Sequence, residues 1–382
     1  MKIKRISLES EAEVIMKNLN VDKPGIKIMS KKAKLYLFYI KDLHIGAANI
    51  LKQDALSIGA DLALPNGAIT CNFKSCDALL IGTKKHIEIL STKELAQPYG
   101  LKDLAKKLRE YLNQKRFDLK LMGVINANDD SFYPKSRFKG KNALAAIEKL
   151  IEDGADIIDI GAVSTRPGSV EVEEQIEFDR LKDIIDFIYE NRVYENAVFS
   201  IDSFRPKIVE YALDRGFLIA NDITGLDSDE MASIVARYGA KVVIMHKKGT
   251  PKTMQIGPKY DDVVFEVGDF FEKRVQKAKK FGILKENIIL DPGIGFGKNL
   301  DHNIELINSI SDFRRFGVEI LVGASRKSMI DMIYPSRVEE RLPGTLAIHL
   351  KAYLEGASII RCHDLKEHKQ AFSVYKRLKK CV

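Results

Sequence analysis

Short apolar runs alternate with amphipathic stretches along the last two-thirds of the chain. Each run has the continuous apolar character of a strand buried on both faces, and residues with helical periodicity follow it. The predicted strands are residues 121–126, 156–161, 198–202, 218–222, 242–246, 288–291, 318–323 and 358–363. The predicted helices include residues 142–152, 173–190, 207–214, 263–281, 302–309, 344–354 and 366–380. Eight strand–helix units in about 260 residues predict a (β/α)8 TIM barrel.

A doubly wound sheet is the main alternative for such an alternation. It usually has fewer strands and a glycine-rich turn after the first one, and no such turn follows residues 122–126. The glycine-rich stretch GIGFGK comes later, at residues 293–298, just after Asp291. It lacks the GK-[ST] ending of a phosphate-binding loop, so its alternating glycines indicate a tight turn that lets the backbone approach a ligand.

The first part of the chain has a different pattern. Residues 32–42 alternate like a strand, residues 47–58 and 101–112 have helical periodicity, and shorter apolar runs lie at 60–64, 77–81 and 86–90. We predict a smaller α/β domain over residues 1–115, ahead of a barrel domain over residues 116–382. The N-terminal domain carries no motif that indicates its role.

Composition narrows the class of protein. The 382 residues are 45% hydrophobic and 30% charged, as expected of a globular protein with a large core. A formal net charge of +8 suggests anionic ligands, but basic residues alternate with acidic ones and form no stripe with interleaved aromatics. Nucleic-acid binding is therefore not expected. The four cysteines are irregularly spaced and predict reduced thiols rather than a zinc site.

Two further patterns bear on location. The N-terminal residues lack the apolar segment of a signal peptide. Nowhere do uncharged apolar residues continue for the roughly eighteen positions that a membrane span requires. We therefore expect a cytoplasmic protein without a membrane-spanning helix.

Polar side chains end every predicted barrel strand. In such barrels the catalytic residues lie at the carboxyl ends of the strands, so these groups should converge. They are Asn126, residues 164–168, Asp202, Asn221, His246 after Met245, Asp291, residues 325–328 after Gly323, and residues 361–364. A single carboxylate at a strand end is more often a helix cap or a turn former. The whole set indicates one site.

The residue types indicate a flat heterocycle carrying an anionic group. Asp202, Asn221 and Asp291 would accept hydrogen bonds from a ring rich in N–H donors, because one carboxylate can accept two at once. Positive charge at the barrel mouth would come from Arg166, Lys327, Arg361 and His363. Phosphate sites of barrels favour the last strands, so these cations suit a phosphate or diphosphate.

Asn126 is a candidate ligand for a hard cation such as Mg²⁺. This ion takes few protein ligands and fills its remaining positions with phosphate and water oxygens. A single amide oxygen at the end of the first barrel strand is compatible with such a site.

Residues 120–380 resemble dihydropteroate synthase. The matching stretches are MGVINANDDSF (122–132), GADIIDIGAVSTRPGS (154–169), SIDS (200–203), NDITG (221–225), MHKKGTPKTMQ (245–255), ILDPGIGFGK (289–298), GASRKS (323–328) and RCHD (361–364). One such stretch alone would be weak, but together they are highly specific.

The resemblance implies a reaction and an assignment of residues. In this family, the amine of p-aminobenzoate displaces diphosphate from (7,8-dihydropterin-6-yl)methyl diphosphate and forms dihydropteroate for folate synthesis. Asp202, Asn221, Asp291 and Lys327 would bind the pterin, flanked by Met245, Phe296 and Gly323. The diphosphate would be held by Arg361 and His363, and by Asn126 through Mg²⁺. The p-aminobenzoate side would be formed by Thr165, Arg166, Pro167 and Ser328. The expected catalytic residues are Asp202, Lys327, Arg361, His363 and Arg166. The resemblance also implies a homodimer.

The chain departs from the family pattern in two loops. Residues 127–132 are ANDDSF where Val-Thr-Pro-Asp-Ser-Phe is usual, and residues 135–140 replace a customary Gly-Gly end. Val163 stands where a glutamate is usual. Both loops close over substrate in this family, so these differences bear on loop closure and sulfonamide sensitivity.

Two alternatives stay open. A pterin-dependent methyltransferase domain would share the barrel and the acidic floor, but it should lack the STRPG loop, so Thr165, Arg166 and Lys327 argue against it. A catalytically silent pterin-binding protein should have lost Asn126, Arg361 or His363, and all three are present.

Overall fold

The computed structural model describes residues 1–4, 6, 12–112, 114–127, 141–163, 172–249 and 257–379, without the side chains of residues 141, 142 and 379. The chain divides into two compact units, Met1–Gln114 together with Tyr375–Val382, and Lys115–Val374. In these described ranges, no helix has the length and apolar character needed to cross a membrane.

The N-terminal unit contains a small antiparallel sheet and its covering helices. In chain order it has α1 (Ala12–Asn18), α2 (Lys23–Met29), β1 (Leu35–His44), α3 (Ile45–Ser57), β2 (Asp61–Ala63), β3 (Ser75–Thr83), α4 (Lys84–Lys93) and α5 (Leu101–Leu112). The strand order is β1–β3–β2. Leu80 of β3 packs in one core with Leu51 of α3 and Ile87 of α4. This unit confirms the predicted small α/β fold.

Two histidines of this unit cap helices. The Nδ1 atom of His44 accepts a hydrogen bond from the backbone N–H of Gly46 at 3.1 Å, at the start of α3. The Nδ1 atom of His86 accepts from the backbone N–H of Thr83 at 3.3 Å, at the start of α4. Each ring nitrogen pairs a donor that the first helical turn leaves without an intrahelical partner.

The second unit is a closed parallel barrel. Its strands are β4 (Lys120–Asn126), β5 (Ile157–Gly161), β6 (Val198–Asp202), β7 (Ile219–Asp222), β8 (Lys241–Met245), β9 (Ile288–Asp291), β10 (Glu319–Val322) and β11 (Ile359–Cys362). The order is β10–β11–β4–β5–β6–β7–β8–β9, closed on itself. All eight predicted strands are present, with ends shifted by at most one residue. His246, Gly323 and His363 lie just past their strands rather than in them.

Helices follow the barrel strands. They are α6 (Lys141–Glu152), α7 (Glu174–Glu190), α8 (Pro206–Leu213), α9 (Asp229–Tyr238), α10 (Val263–Lys280), α11 (Leu300–Asn308), α12 (Ile310–Phe313), α13 (Ser328–Ile333), α14 (Leu342–Glu355) and α15 (Leu365–Lys379). Outward strand residues such as Phe199 and Ile201 of β6 belong to the large hydrophobic core that includes the helices. The (β/α)8 prediction is confirmed.

The barrel lumen contains a separate hydrophobic cluster, the lumen core. Every barrel strand contributes one residue to it: Met122, Ile157, Val198, Ile219, Val243, Ile289, Leu321 and Ile359. Because side chains alternate between the two faces of a strand, residues two positions before or after these also point into the lumen. The position of the lumen core therefore identifies the residues that line the barrel interior towards the amino-terminal and the carboxyl-terminal ends of the strands.

An ionic cluster lies on the amino-terminal side of the lumen core. Glu319 precedes Leu321 by two positions, and its carboxylate accepts hydrogen bonds from Lys120 Nζ at 2.6 Å and Lys241 Nζ at 2.5 Å. The three residues begin β10, β4 and β8, which are not neighbouring strands. The cluster thus links strands across the lumen at the end opposite to the predicted site.

Substituting Glu319 tests this cluster. Burial alone would raise the pKa of Glu319 above its ordinary 4.5, but Lys120 and Lys241 outweigh it and hold the pKa lower. We expect Glu319→Gln to reduce the free energy of unfolding by about 1–3 kcal/mol at neutral pH, because two ammonium groups lose their carboxylate.

A carboxylate with a lowered folded pKa stabilises the fold above its unfolded pKa, and this stabilisation is lost as the pH falls through the folded value. The difference between wild type and variant in urea unfolding should therefore shrink as the pH falls below the ordinary value of 4.5. An equal difference at neutral and acid pH would contradict the ionic origin. Turnover at neutral pH should not change.

Candidate active site

The residues just beyond the lumen core form a polar floor at the carboxyl ends of the strands. Asp159, Asn221, Asp291 and Arg361 each follow a lumen-core residue of the same strand by two positions, so the pleat points all four into the lumen. Asp202 follows Val198 by four positions on β6 and points the same way. We call these five residues the polar floor.

Arg361 connects the carboxylates of the polar floor. Its Nε donates to Asp159 Oδ2 at 2.7 Å, and its Nη2 donates to Asp202 Oδ2 at 2.7 Å. The sequence placed Arg361 among the cations of the barrel mouth. In the structure its guanidinium pairs with carboxylates of the floor.

Asp159 was missed by sequence reasoning. It is fully buried in β5, two residues before the strand ends, so a search restricted to strand ends passes over it. A signal was available, because Asp159 is the only charged residue of the strand IIDIG. A carboxylate in an otherwise apolar buried strand requires a partner, and here the partners are Arg361 and Asn221.

The buried charges shift one another's pKa values. Burial raises the pKa of Asp202 to about 7, with Arg361 opposing the shift and Asp159 adding to it. Burial also raises the pKa of Asp291, against the hydrogen bond from the N–H of Gly293. Burial lowers the pKa of Lys327 to about 8, with Asp291 opposing. The Asp202 carboxyl and the Lys327 amino group can therefore change protonation near neutral pH when a charged ligand binds.

The glycine-rich loop after β9 holds Asp291 in place. Asp291 Oδ1 accepts from the N–H of Gly293 at 2.7 Å. Gly293 has a φ of 67°, and a Cβ there would lie 1.9 Å from the carbonyl oxygen of His246. Only glycine allows this approach of two strand-end loops. Lys327 Nζ donates to the Ile294 carbonyl and lies 4.5 Å from the centre of the Phe296 ring.

Lys298 supports the same loop from within. Its side chain is buried, and Nζ contacts the carbonyl oxygens of Gly293 and Phe296 at 3.0 Å each, and Nδ1 of His246 at 3.0 Å. Burial lowers the pKa of Lys298 to about 7 and that of His246 to about 2, so the imidazole is neutral and can accept. The lysine of GIGFGK therefore bonds to the loop's own backbone.

The loops after β10 and β11 contact each other directly. His363 Nδ1 lies 2.9 Å from Ser325 Oγ. Arg326 donates to both carboxylate oxygens of Asp364, at 2.9 and 2.7 Å. These contacts join the loop that carries Lys327 to the loop that carries His363.

Two buried histidines lie behind these loops. His349 Nε2 accepts from the N–H of Ala324 at 3.0 Å, His349 Nδ1 lies 2.7 Å from His368 Nε2, and His368 Nδ1 lies 2.6 Å from the Asp364 carbonyl oxygen. Burial lowers the pKa of both rings. With both rings neutral, each must carry its proton on Nδ1, which gives one directed chain of hydrogen bonds from Ala324 to Asp364.

The other predicted site residues lie at the same end of the barrel or outside the described residues. Asn126 ends β4 and is half-buried, Met245 ends β8 and is buried, and Ser328 begins α13. Thr165, Arg166 and Pro167 are outside the described residues, as are the departures at Asn128 and Asp129.

His349 offers a test of the supporting chain. Replacing it with alanine leaves the Ala324 N–H without its acceptor and opens a cavity, so we expect roughly 2–4 kcal/mol of lost stability. Displacement of the attached loop should also lower kcat/KM by roughly tenfold. Kinetics and urea unfolding measure both effects, and nitrogen-15 NMR of wild type should show two neutral Nδ1–H rings.

His44→Ala is the matched control, because this histidine caps a helix in the other unit. It should leave turnover unchanged. Unchanged kcat/KM in His349→Ala, despite lower stability, would limit the histidine pair to a structural role.

Buried carboxylates and an amide lie at the carboxyl end of a closed barrel, with cations beside them, and TIM-barrel enzymes have their active sites at this end. A family model described as pterin binding enzyme matches residues 122–363. That match includes all eight strand ends and every residue of the polar floor.

Individual proteins give the same result. A bifunctional dihydropteroate synthase/dihydropteroate reductase of Helicobacter pylori is 38% identical over 379 residues, 99% of each chain. The dihydropteroate synthase of Escherichia coli is 39% identical over 255 residues, 66% of this chain and 89% of that relative. The crystal structure of dihydropteroate synthase from Thermus thermophilus in complex with 4-aminobenzoate is 35% identical, with a TM-score of 0.61 over 68% of this chain and 95% of that one.

The chain belongs to the pterin-binding enzyme family and, within it, to the dihydropteroate synthases. It is therefore a transferase of folate biosynthesis, and the predicted family, fold and activity are confirmed. The relatives favour the synthase over a methyltransferase domain or a silent pterin-binding protein.

Proposed function

We propose that the polar floor binds the pterin ring of (7,8-dihydropterin-6-yl)methyl diphosphate, and that p-aminobenzoate displaces the diphosphate at this end of the barrel. The convergence of Asp202, Asn221, Asp291 and Arg361 in one lumen carries the proposal. Carboxylate and amide oxygens there would accept N–H bonds from the ring edge. Lys327 would add a donor beside Asp291, with Met245, Phe296 and Gly323 flanking the ring.

The diphosphate would lie towards the loops after β4 and β11. Arg361 and His363 would offset its negative charge, and Ser325 would orient the His363 ring through the 2.9 Å contact. Arginine suits this role because it stays charged and donates from several N–H groups.

Asn126 would supply one oxygen ligand to Mg²⁺. Among the described residues, no group of three or more histidine, cysteine or acidic side chains could hold a metal ion. This donor set fits an ion held by one amide oxygen together with substrate and water oxygens. When bound, Mg²⁺ would neutralise charge on the departing diphosphate.

The reaction asks for charge stabilisation more than for proton transfer. The new C–N bond forms as the C–O bond to diphosphate breaks, positive charge develops on the ring side, and the amine releases one proton. Floor carboxylates would stabilise that positive charge, and one preorganised group of this kind is worth about 3 kcal/mol of barrier. An arylamine is neutral at physiological pH, so positioning suffices for its attack.

The p-aminobenzoate side of the site, where sulfonamides would compete, would be formed by Thr165, Arg166, Pro167 and Ser328. Family resemblance supports these roles, as it supports a homodimer. A cytoplasmic location agrees with Cys71, Cys76 and Cys362, which are free thiols.

A direct assay tests the proposed site. Diphosphate release should require the pterin diphosphate, p-aminobenzoate and Mg²⁺ together. Arg361→Ala and Asp202→Ala should each lower kcat/KM by roughly a hundredfold or more, because each removes charge from the polar floor. Glu319→Gln, which alters a buried ionic cluster at the opposite end, should release diphosphate at the wild-type rate. Near-normal turnover in Arg361→Ala or Asp202→Ala would count against the assigned roles.

We propose a second activity for the N-terminal domain, residues 1–115, in addition to the synthase activity of the barrel, residues 116–382. The Helicobacter pylori relative is named as a reductase of dihydropteroate as well as a synthase, and the alignment spans 99% of both chains. We propose that this chain also reduces dihydropteroate, with a hydride from a reduced nicotinamide or flavin and a proton from water adding across one C=N bond.

The full-length chain allows a test of this second activity. Dihydropteroate should cause oxidation of reduced nicotinamide, supplied alone or with flavin, by both wild type and Arg361→Ala. Retention of reduction in this variant, which has impaired synthase activity, would separate the two sites. No oxidation by wild type under either condition would contradict the proposal.

A further inference from the structure

Asp159 contacts two other residues of the polar floor, Asn221 and Arg361. Its side chain is 0% exposed, on β5, and it follows the lumen-core residue Ile157 by two positions. The family resemblance and the assigned roles above use its neighbours but give Asp159 itself no function. A buried carboxylate without a role in binding or structure would only destabilise the barrel.

One oxygen of Asp159 serves two partners. Oδ2 accepts from Asn221 Nδ2 at 3.0 Å and from Arg361 Nε at 2.7 Å. The other oxygen, Oδ1, is buried and accepts no hydrogen bond from the described residues. Asp159 thus joins an arginine of β11 to an asparagine of β7.

The carboxylate determines which end of the Asn221 amide faces the ligand. A carboxylate accepts hydrogen bonds and does not donate them, so the amide must present its NH₂ group to Asp159. The amide oxygen of Asn221 is then the group offered to the lumen. That orientation makes Asn221 an acceptor for a ring N–H, as the proposed pterin site requires.

The same carboxylate also limits where Arg361 can point. The guanidinium bridges Asp159 on β5 and Asp202 on β6, and Arg361 itself comes from β11, which β4 separates from β5. Two anchors fix the plane of the guanidinium, whereas one would let it rotate.

We propose that Asp159 is a positioning residue of the synthase, which orients the Asn221 amide and the Arg361 guanidinium without contacting substrate. The proposal rests on the pterin-binding role of the polar floor. Asp159 is not one of the predicted ligands. By orienting the Asn221 amide, it would make Asn221 a hydrogen-bond acceptor and so favour a ring that donates N–H.

A double-mutant cycle tests the inference. The probe is 6-hydroxymethylpterin, which has the ring but no diphosphate, and its binding to the full-length chain is measured by calorimetry. Asp159→Ala should weaken binding by roughly 10- to 100-fold, because the Asn221 amide can turn over. Asn221→Ala should give a loss of similar size. The double variant should bind the probe about as tightly as the weaker-binding single variant, because both changes remove the same interaction.

Asp159→Asn supplies a conservative rescue. Its amide oxygen can accept from both partners as Oδ2 does, so it should bind the probe more tightly than Asp159→Ala. If Asp159→Ala does not fold, Asp159→Leu, which fills the same space but has no acceptor, provides the same cycle when combined with Asn221→Ala. Glu319→Gln is the matched control, a buried carboxylate with two cationic partners elsewhere in the lumen, and it should bind the probe like wild type.

The possible outcomes distinguish the pterin-binding role of the polar floor from the positioning role of Asp159. Failure of wild type to bind 6-hydroxymethylpterin would overturn the pterin role of the floor. Wild-type binding with equal binding by Asp159→Ala would overturn only the positioning role. Losses that multiply in the double variant would also overturn it, because Asp159 would then act independently of Asn221.

Discussion

The alternation of side chains along each β-strand is the constraint on which the rest of the barrel depends. Each strand places one apolar residue in the lumen core, and the next inward position comes two residues later. On β5, β7, β9 and β11 those positions are Asp159, Asn221, Asp291 and Arg361. The register that closes the barrel therefore also assembles the site, and a one-residue slip would lose both.

Three of the five residues of the polar floor are buried and the other two are largely so, and this burial explains why their charges are paired. An unpaired buried charge is strongly destabilising, so Arg361 is shared between two carboxylates and Asp291 accepts from the Gly293 backbone. The raised pKa of Asp202 is a further consequence of the same burial. A synthase benefits from such a site, because fixed charges held in place by the fold stabilise the developing charges of the reaction without reorganising.

Residues behind the site hold its loops in position. Lys298 binds carbonyl oxygens of the glycine-rich loop, and His349 with His368 links the loops after β10 and β11. These groups are deeply buried, and burial drives the histidines to their neutral forms. Binding residues on loops need this kind of support, because small displacements remove the geometry that catalysis requires.

The sequence by itself determined the eight strands, the polar groups at their ends and the family, because periodicity and motifs are properties of consecutive residues. Only the tertiary structure decided the contacts of Asp159, Lys298 and His349. Asp159 meets Arg361 across 202 positions of sequence, and no local pattern reports that contact. The pairing of β11 with β4 closes the barrel and leaves only β4 between β11 and β5, so Arg361 reaches Asp159.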